Sequence, residues 1–212
     1  MTRLRVINLG LPKTGTTTLS RALRKAGLKV ADWRIRRKQT EDEKIVNKHV
    51  GSLMYSGYYD NGDPLALLDD FDAIAEMSYV KFNFSAWPQT DWAMLSAIVD
   101  HHPGVKFLLS QRDPAKTVAS MLKWTNLGQK RLPSNSIPGL PKGFGKTEAE
   151  LERWVRGHYL FCRHVFAGSD RFMEYDVDDP DAAKKIGAFL GRDLPWWGHA
   201  NRTREKELED TQ

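Results

Sequence analysis

A pattern near the N-terminus constrains the fold of this chain more than any other stretch does. Val6 and Ile7 favour a strand, Gly10 interrupts it, and a run of threonines then opens a segment whose apolar residues have helical spacing. A turn between a strand and a helix directs several backbone N–H groups to one point, and the helix adds the positive end of its dipole. The sequence therefore predicts a strand, an anion-binding loop and a helix, in that order.

The position of the lysine distinguishes this loop from that of nucleoside triphosphatases, G-x-x-x-x-G-K-[ST], in which lysine directly follows the second glycine. Here Gly10 and Gly15 keep the separation, but Thr16 stands in the lysine position. The lysine is instead Lys13, two residues before Gly15. The resulting P-K-T-G-T-T at residues 12–17 resembles the 5′-phosphosulfate loop of sulfotransferases, which use 3′-phosphoadenosine 5′-phosphosulfate (PAPS).

A second motif follows another apolar run, residues 105–109. Arg112 leaves the end of this predicted strand, and Asp113 caps a helix whose first residue is Pro114. Ser120 projects from that helix away from its apolar side. An arginine with a hydroxyl forms a receptor for a second phosphate, since each charge-assisted hydrogen bond contributes roughly 1.5–3 kcal/mol. The arginine–serine spacing is similar to the 3′-phosphate motif of sulfotransferases.

The resemblance implies roles for individual residues. Lys13 would support the leaving group and the transferring sulfuryl group, and backbone N–H groups and threonine hydroxyls would hold the 5′-phosphate. The implied cofactor-binding residues are Pro12, Lys13, Thr14, Gly15, Thr16, Thr17, Arg112 and Ser120.

A general base is predicted between the two motifs. Cytosolic sulfotransferases place a histidine at the end of a strand there, and other branches place a carboxylate. In this chain the apolar residues 73–75 are followed by Glu76. Burial at the mouth of an apolar strand raises a carboxyl pKa towards the range that suits a base. The alternative is that Glu76 caps or pairs near Arg112, and the competing bases are Asp69, Asp70, Asp72 and His49.

Strand and helix patterns alternate along the rest of the chain. They predict a three-layer, P-loop-like α/β fold with a central parallel sheet flanked by helices. With 212 residues, the chain is predicted to be one sulfotransferase-like domain, 1–212, with a flexible tail at 202–212. The further predicted elements are a strand at 29–33, helices at 41–55 and 91–101, a long helix opened by a Thr147–Glu150 capping box, a strand at 171–175 and a helix at 180–190.

Residues 125–146 are rich in Pro, Gly, Ser and Asn, and no acidic residue occurs between Asp113 and Glu148. A long loop inside a domain is a lid or a disordered segment. A cationic lid over a multiply charged nucleotide and a solvated flexible loop are both compatible with this composition. The late R-K-G element of cytosolic sulfotransferases is not matched at residues 142–146, so that part of the cofactor site is unassigned. By contrast, residues 189–197, followed by Asn201, resemble the tail of short sulfotransferase-like proteins, including many bacterial ones. Trp196 and Trp197 are interpreted as packing anchors, with substrate platforms as the alternative.

The composition predicts the cellular compartment and the kinds of partner of this protein. The single Cys162 excludes an intrachain disulfide and suits a reducing compartment. No leader and no run of roughly 20 apolar residues is seen, so a cytoplasmic location without membrane contact is expected. His101 and His102 are interpreted as a helix end, and no metal is predicted. A basic patch comprises Arg34, Arg36, Arg37 and Lys38. It could attract an anionic acceptor or nucleic acid, but it is interpreted as a solvated face, so no nucleic-acid partner is expected.

The sequence therefore predicts a PAPS-dependent sulfotransferase. It would transfer a sulfuryl group to a hydroxyl or amine of a small-molecule or glycan acceptor and release adenosine 3′,5′-bisphosphate. Neither the acceptor nor the oligomeric state can be read from the sequence. One alternative is a P-loop kinase or phosphotransferase, which needs magnesium and favours the standard lysine position. The other is a non-catalytic nucleotide-binding relative that keeps the loop and lacks a base.

Overall fold

The structure, a computed structural model, describes residues 3–81, 84–198 and 200; Asn201 and the predicted tail at 202–212 lie outside this part of the chain. Its central sheet has five strands: β1 (Arg5–Asn8), β2 (Val30–Ala31), β3 (Ala73–Ile74), β6 (Val105–Gln111) and β7 (Phe172–Asp176). They are all parallel, in the order β2-β3-β1-β6-β7. Between β3 and β6 an antiparallel hairpin is formed by β4 (Tyr79–Lys81) and β5 (Phe84–Ala86).

Helices cover both faces of the sheet. They are α1 (Thr16–Lys25), α2 (Val50–Asn61), α3 (Trp92–His101), α4 (Pro114–Lys123), α5 (Leu132–Ser134), α6 (Glu148–Val165) and α7 (Ala182–Leu190). In β1, Val6 packs into the cluster formed with α1 and α7, whereas Ile7 packs into the cluster formed with α2, α3, α4 and α6. Successive side chains of a strand point to opposite faces, so each strand supplies both layers. The predicted three-layer α/β fold with a central parallel sheet is confirmed.

The predicted helix over 41–55 is wrong at its start, because α2 begins only at Val50. The backbone before it pairs with the segment that follows β2. Ile35 donates its N–H to the carbonyl of Lys48 at 3.0 Å, and Asn47 donates to the carbonyl of Ile35 at 2.8 Å. Asn47 also has a left-handed backbone (φ 64°), which a helix excludes. These cross-chain bonds use groups that a helix would need for itself.

Residues 125–146 are more ordered than their composition predicts. A π-helical turn at Leu127–Arg131 runs into α5, with the carbonyl of Asn126 accepting from the N–H of Arg131 at 3.0 Å. Four widely spaced apolar side chains anchor the segment in the core: Leu127, Leu132, Ile137 and Leu140. The predicted role of this segment as a lid stays a prediction.

Local predictions elsewhere are confirmed by single contacts. The Thr147 hydroxyl accepts from the backbone N–H of Glu150 at 3.2 Å, and the Glu150 carboxylate accepts from the N–H of Thr147 at 3.1 Å, which completes the capping box. Helix α3 ends at His101, and Cys162 is buried. The Trp197 ring packs edge-on against Tyr175, as expected of an anchor. Across the described residues, no helix combines the length and apolar character needed to cross a membrane.

Candidate active site

The segments that follow four of the strands carry polar residues and lie at one edge of the sheet. Because the strands are parallel, their carboxyl ends share this edge, and there β1 leads into the loop at 9–15, β3 into Glu76, β6 into Arg112 and β7 into Asp178. From β1 the chain turns towards β2, and from β6 it turns towards β7 on the other side. Ligands of open α/β sheets bind where connections diverge in this way. A cavity of about 1280 Å³ lies at this point.

The loop after β1 has a backbone that needs its glycines. Lys13 (φ 75°) and Gly15 (φ 85°) are both left-handed, a conformation that glycine adopts without strain. A Cβ atom on Gly15 would lie 2.2 Å from Cγ2 of Val177, and one on Gly10 would lie 1.9 Å from Oγ of Ser110. Side chains at these positions would push the loop away from β6 and from the loop after β7.

Asn8 ties three strand ends together, a role that the sequence reading missed. Its side-chain amide donates to the carbonyl of Ala75 at 2.9 Å. Its Oδ1 accepts from the backbone N–H groups of Gly10 at 3.3 Å and Ser110 at 3.2 Å. The ends of β1, β3 and β6 are therefore held in one fixed arrangement around the loop. The available signal was an asparagine inside an otherwise apolar strand.

Replacing Asn8 by Ala is expected to lower the free energy of unfolding by about 2–4 kcal/mol, because two buried N–H groups lose their acceptor. Denaturant unfolding followed by circular dichroism measures this change. Asn126→Ala is the matched control, since its side chain makes no hydrogen bond within the described residues, and it should change stability by less than about 0.5 kcal/mol. If both variants had the same stability, Asn8 would not be the tie that its contacts indicate.

Thr14 stabilises the loop from the buried side, next to β6, and does not line the cavity. Its hydroxyl bonds to the carbonyl of Leu11 at 2.7 Å and to Oγ of Ser110 at 2.8 Å, and its N–H bonds to Leu11 at 3.3 Å. Thr14 is fully buried. Of the eight predicted cofactor-binding residues, Thr14 is the one that does not line the cavity, and the backbone N–H predicted to hold the 5′-phosphate bonds to Leu11, so its contacts give it a supporting role.

The other predicted ligands line the same cavity; they are Pro12, Lys13, Gly15, Thr16, Thr17, Arg112 and Ser120. Helix α1 begins here with Gly15 as its cap, and it has neither a side-chain cap nor an acidic residue in its first turn. The positive end of its dipole is therefore not offset by a carboxylate of its own first turn, which favours an anion at this position.

The Lys13 ammonium rests on an aromatic ring. Its Nζ lies 3.8 Å from the ring centroid of Trp124, just after α4. Burial, together with the positive charge of Arg112, lowers the pKa of Lys13. No carboxylate within the described residues pairs with this ammonium. The contact with Trp124, which the sequence reading missed, leaves the charge of Lys13 available to a ligand.

Arg112 already has an anionic partner. Its Nε donates to Oδ2 of Asp178 at 3.2 Å, and Nζ of Lys116 lies 3.4 Å from the same oxygen. Burial acts to raise the pKa of Asp178, but the hydrogen bonds and charges of Arg112 and Lys116 outweigh it and lower that pKa. A phosphate that binds Arg112 would therefore lie beside the negative charge of Asp178, a residue that the sequence reading did not single out.

Glu76 lies against the cavity as a half-buried carboxyl. Its Oε1 accepts from the backbone N–H of Ser78 at 3.0 Å and from the Ser78 hydroxyl, and the Thr16 hydroxyl also bonds to the carboxyl. Burial raises the pKa of Glu76 to about 7, although these hydrogen bonds act to lower it. Of the alternatives considered above, the described residues form no ion pair between Glu76 and Arg112, whereas the bond from the backbone N–H of Ser78 is one that a capping carboxylate makes.

The competing bases lie elsewhere. Three of them precede β3 and therefore occupy the opposite, amino edge of the sheet, where they pair with Arg3, Arg5 or Lys29; they are Asp69, Asp70 and Asp72. His49 belongs to an aromatic cluster beside the cavity but is not among its lining residues. The cavity therefore brings Glu76 together with the loop and leaves the competitors outside.

Similarity to known proteins bears on the family of this chain. A family model described as a sulfotransferase domain matches residues 5–206. A search of curated proteins finds no match. A mouse sulfotransferase, SULT7A1, solved with PAP, is similar at 17% identity and a TM-score of 0.47; the match covers 91% of this chain and 58% of the mouse chain. A sulfotransferase from Alicyclobacillus acidocaldarius is similar at 15% identity and a TM-score of 0.48, covering 98% of this chain and 89% of the bacterial one. Both scores lie below 0.5, so the family model is the finding that bears on membership.

Proposed function

Because this chain belongs to the sulfotransferase domain family, we propose that it is a PAPS-dependent sulfotransferase. It transfers a sulfuryl group to a hydroxyl or amine of an acceptor and releases adenosine 3′,5′-bisphosphate. One observation carries the proposal: Lys13, Glu76 and Arg112 line a single cavity at the open N-terminus of α1. A cation, a base and a second anion receptor are the parts that sulfuryl transfer requires.

The residues present fit the donor. The left-handed loop and the start of α1, which has no side-chain cap, both line the cavity, and this suits the phosphosulfate. Arg112 and Ser120 suit the 3′-phosphate. The cavity, at about 1280 Å³, exceeds the range of about 300–1,000 Å³ typical of small-molecule pockets. It is therefore large enough for a nucleotide together with an acceptor.

The mechanism assigns one task to each of two side chains. When bound, PAPS supplies a sulfuryl group attached to a phosphate leaving group. Glu76, with a pKa near neutrality, takes the proton of the acceptor hydroxyl as the acceptor oxygen bonds to sulfur and the bond from sulfur to the phosphate oxygen breaks. Lys13, which lies over the Trp124 ring, would stabilise the negative charge that develops on the leaving phosphate. The protein contributes positioning through the loop that Asn8 fixes.

An assay of donor turnover tests the proposed function. The protein is incubated with PAPS and a panel of hydroxyl and amine acceptors, without magnesium, and release of adenosine 3′,5′-bisphosphate is followed by chromatography. We expect release that depends on an acceptor. Binding of the bisphosphate without release for any acceptor would instead identify a non-catalytic relative. The cytoplasmic location, the single-domain extent and the lack of nucleic-acid and membrane partners stay predictions.

Opposite effects are expected at Arg112 and at Asp178. Arg112→Gln should weaken binding of adenosine 3′,5′-bisphosphate by about 10- to 100-fold, since it removes a charge-assisted bond of about 1.5–3 kcal/mol. Asp178→Asn should strengthen binding, because the phosphate no longer lies beside the negative charge of a carboxylate at Arg112. Titration calorimetry measures both, with Arg156→Gln on an exposed face of α6 as the control. Equal affinities for the wild type and the Arg112 variant would place the 3′-phosphate elsewhere.

A further inference from the structure

A side cavity of about 430 Å³ adjoins the proposed donor site. It shares four lining residues with the main cavity: Trp33, Tyr79, Val80 and Arg131. Tyr79 begins β4 only three residues after Glu76. The side cavity therefore opens from the part of the main cavity that contains the proposed base, which is where an acceptor must lie.

The side cavity has an aromatic wall, formed by Trp33, His49 and Tyr79. The His49 and Tyr79 rings stack with centroids 3.6 Å apart, and the Trp33 and Tyr79 planes are inclined by only 3° with centroids 6.3 Å apart. Trp33 is 38% exposed, so part of this wall faces solvent and the cavity. An exposed aromatic face of this kind stacks on a planar ring or on the apolar face of a sugar.

The charges around the aromatic wall are all positive. Arg34, Lys81 and Arg131 line the side cavity, and its lining includes no carboxylate. Arg131 is half-buried and donates to the carbonyl of Val80 at 3.2 Å, but no carboxylate pairs with it within the described residues, and its buried Nε has no hydrogen-bond partner there. A half-buried guanidinium without a carboxylate partner favours an anionic ligand.

The positive charges around the side cavity also act on His49. Burial lowers its pKa, and the positive charges of Arg34 and Lys81 lower it further. Two cations of the main cavity differ, since Arg24 pairs with Asp32 at 2.7 Å and Arg112 pairs with a carboxylate as described above. The side cavity is thus a region in which positive charge is gathered without an internal counter-ion, and this arrangement attracts anions.

We propose, on the basis of the proposed function, that the side cavity binds the acceptor, and that the acceptor is a hydroxyl compound whose ring bears an anionic group of its own. The ring stacks on the aromatic wall, the anionic group lies among Arg34, Lys81 and Arg131, and the hydroxyl extends towards Glu76. A carboxylate and a sulfate or phosphate ester share this chemistry. Neutral phenols and neutral sugars lack the second contact.

A matched set of glycosides tests the proposal by binding alone. The probes are p-nitrophenyl β-D-glucuronide, p-nitrophenyl β-D-glucoside and the 6-sulfate of the glucoside, titrated by calorimetry into protein saturated with adenosine 3′,5′-bisphosphate. At least one anionic probe should bind about tenfold more tightly than the neutral glucoside, and the preference should shrink as salt rises. A preference for the glucuronide identifies a carboxylate, and one for the 6-sulfate identifies a sulfate ester.

Variants connect this preference to the side cavity. Arg131→Gln should reduce the preference for the anionic probe several-fold. Lys81→Gln, at an exposed position that lines only the side cavity, should do the same and leave affinity for the bisphosphate unchanged. Trp33→Ala should weaken all three probes alike, and Lys38→Gln, which removes an exposed charge outside both cavities, should change nothing. Equal affinity for the three probes, or binding of none, would overturn the acceptor proposal. Failure to bind the bisphosphate would overturn the proposed function instead.

Discussion

Replacing Lys13 by Ala is expected to reduce the rate of sulfuryl transfer by about 10²–10³-fold, because the leaving phosphate loses the cation that stabilises its developing charge. Binding of adenosine 3′,5′-bisphosphate should weaken much less, since the loop backbone and Arg112 are unchanged. Alanine keeps the Cβ atom at the left-handed position, so the backbone strain there is the same in both proteins. Single-turnover measurements with PAPS separate the chemical step from donor binding.

The control for this variant is Lys130→Ala, which removes another lysine from an exposed position outside the cavity lining. It should retain the full rate. A Lys13→Ala protein that transferred sulfuryl groups within threefold of the wild type would show that this ammonium is not the group that stabilises the leaving phosphate.

Replacing Glu76 by Gln is expected to slow transfer by about 10²–10⁴-fold, the usual range for loss of a general base. Donor binding should be spared. The wild-type rate should also depend on pH: the pKa of Glu76 is about 7, and only the carboxylate accepts a proton, so the rate rises with pH through about 7 and then levels off. The Gln variant should lose this rise. Asp70→Asn, at the opposite edge of the sheet, should match the wild type.

Stability provides an independent readout of the same pKa. The folded-state pKa of Glu76 is raised from its ordinary value of 4.5, so the folded protein binds a proton more tightly than the unfolded chain does. Stability from this group is therefore present at low pH and is lost as pH rises through about 7. The Gln variant should lack this loss, and its Tm relative to the wild type should increase between pH 5 and pH 8.

A Gln variant with full activity would exclude Glu76 as the base.

Much of the fold could be predicted because local patterns and their order agree. The loop after β1, the strand before Arg112 and the capping box of α6 each have a short-range signal, and the alternation of strands and helices implies a parallel sheet. The start of α2 could not be predicted in this way. Its position depends on bonds between Ile35 and residues 47–48, which no local pattern encodes.

The candidate site was predictable where a residue belongs to a motif and not where it only supports one. Lys13, Arg112 and Glu76 follow strand ends that the sequence marks. Asn8 and Asp178 act through partners that lie far away in the chain, so their roles appear only when β3, β6 and β7 are placed beside β1. Thr14 shows the converse, because a threonine within the motif turns its hydroxyl to Ser110 and away from the cavity.

Titration calorimetry with adenosine 3′,5′-bisphosphate, in the absence of magnesium, tests the central claim most directly. The claim is that the loop containing Lys13, with Arg112, accepts a nucleotide bearing a 3′-phosphate. We predict binding of the bisphosphate without metal, weakened by Arg112→Gln, and little heat from ATP with magnesium. Binding of ATP with magnesium and none of the bisphosphate would contradict the account and favour a phosphotransferase.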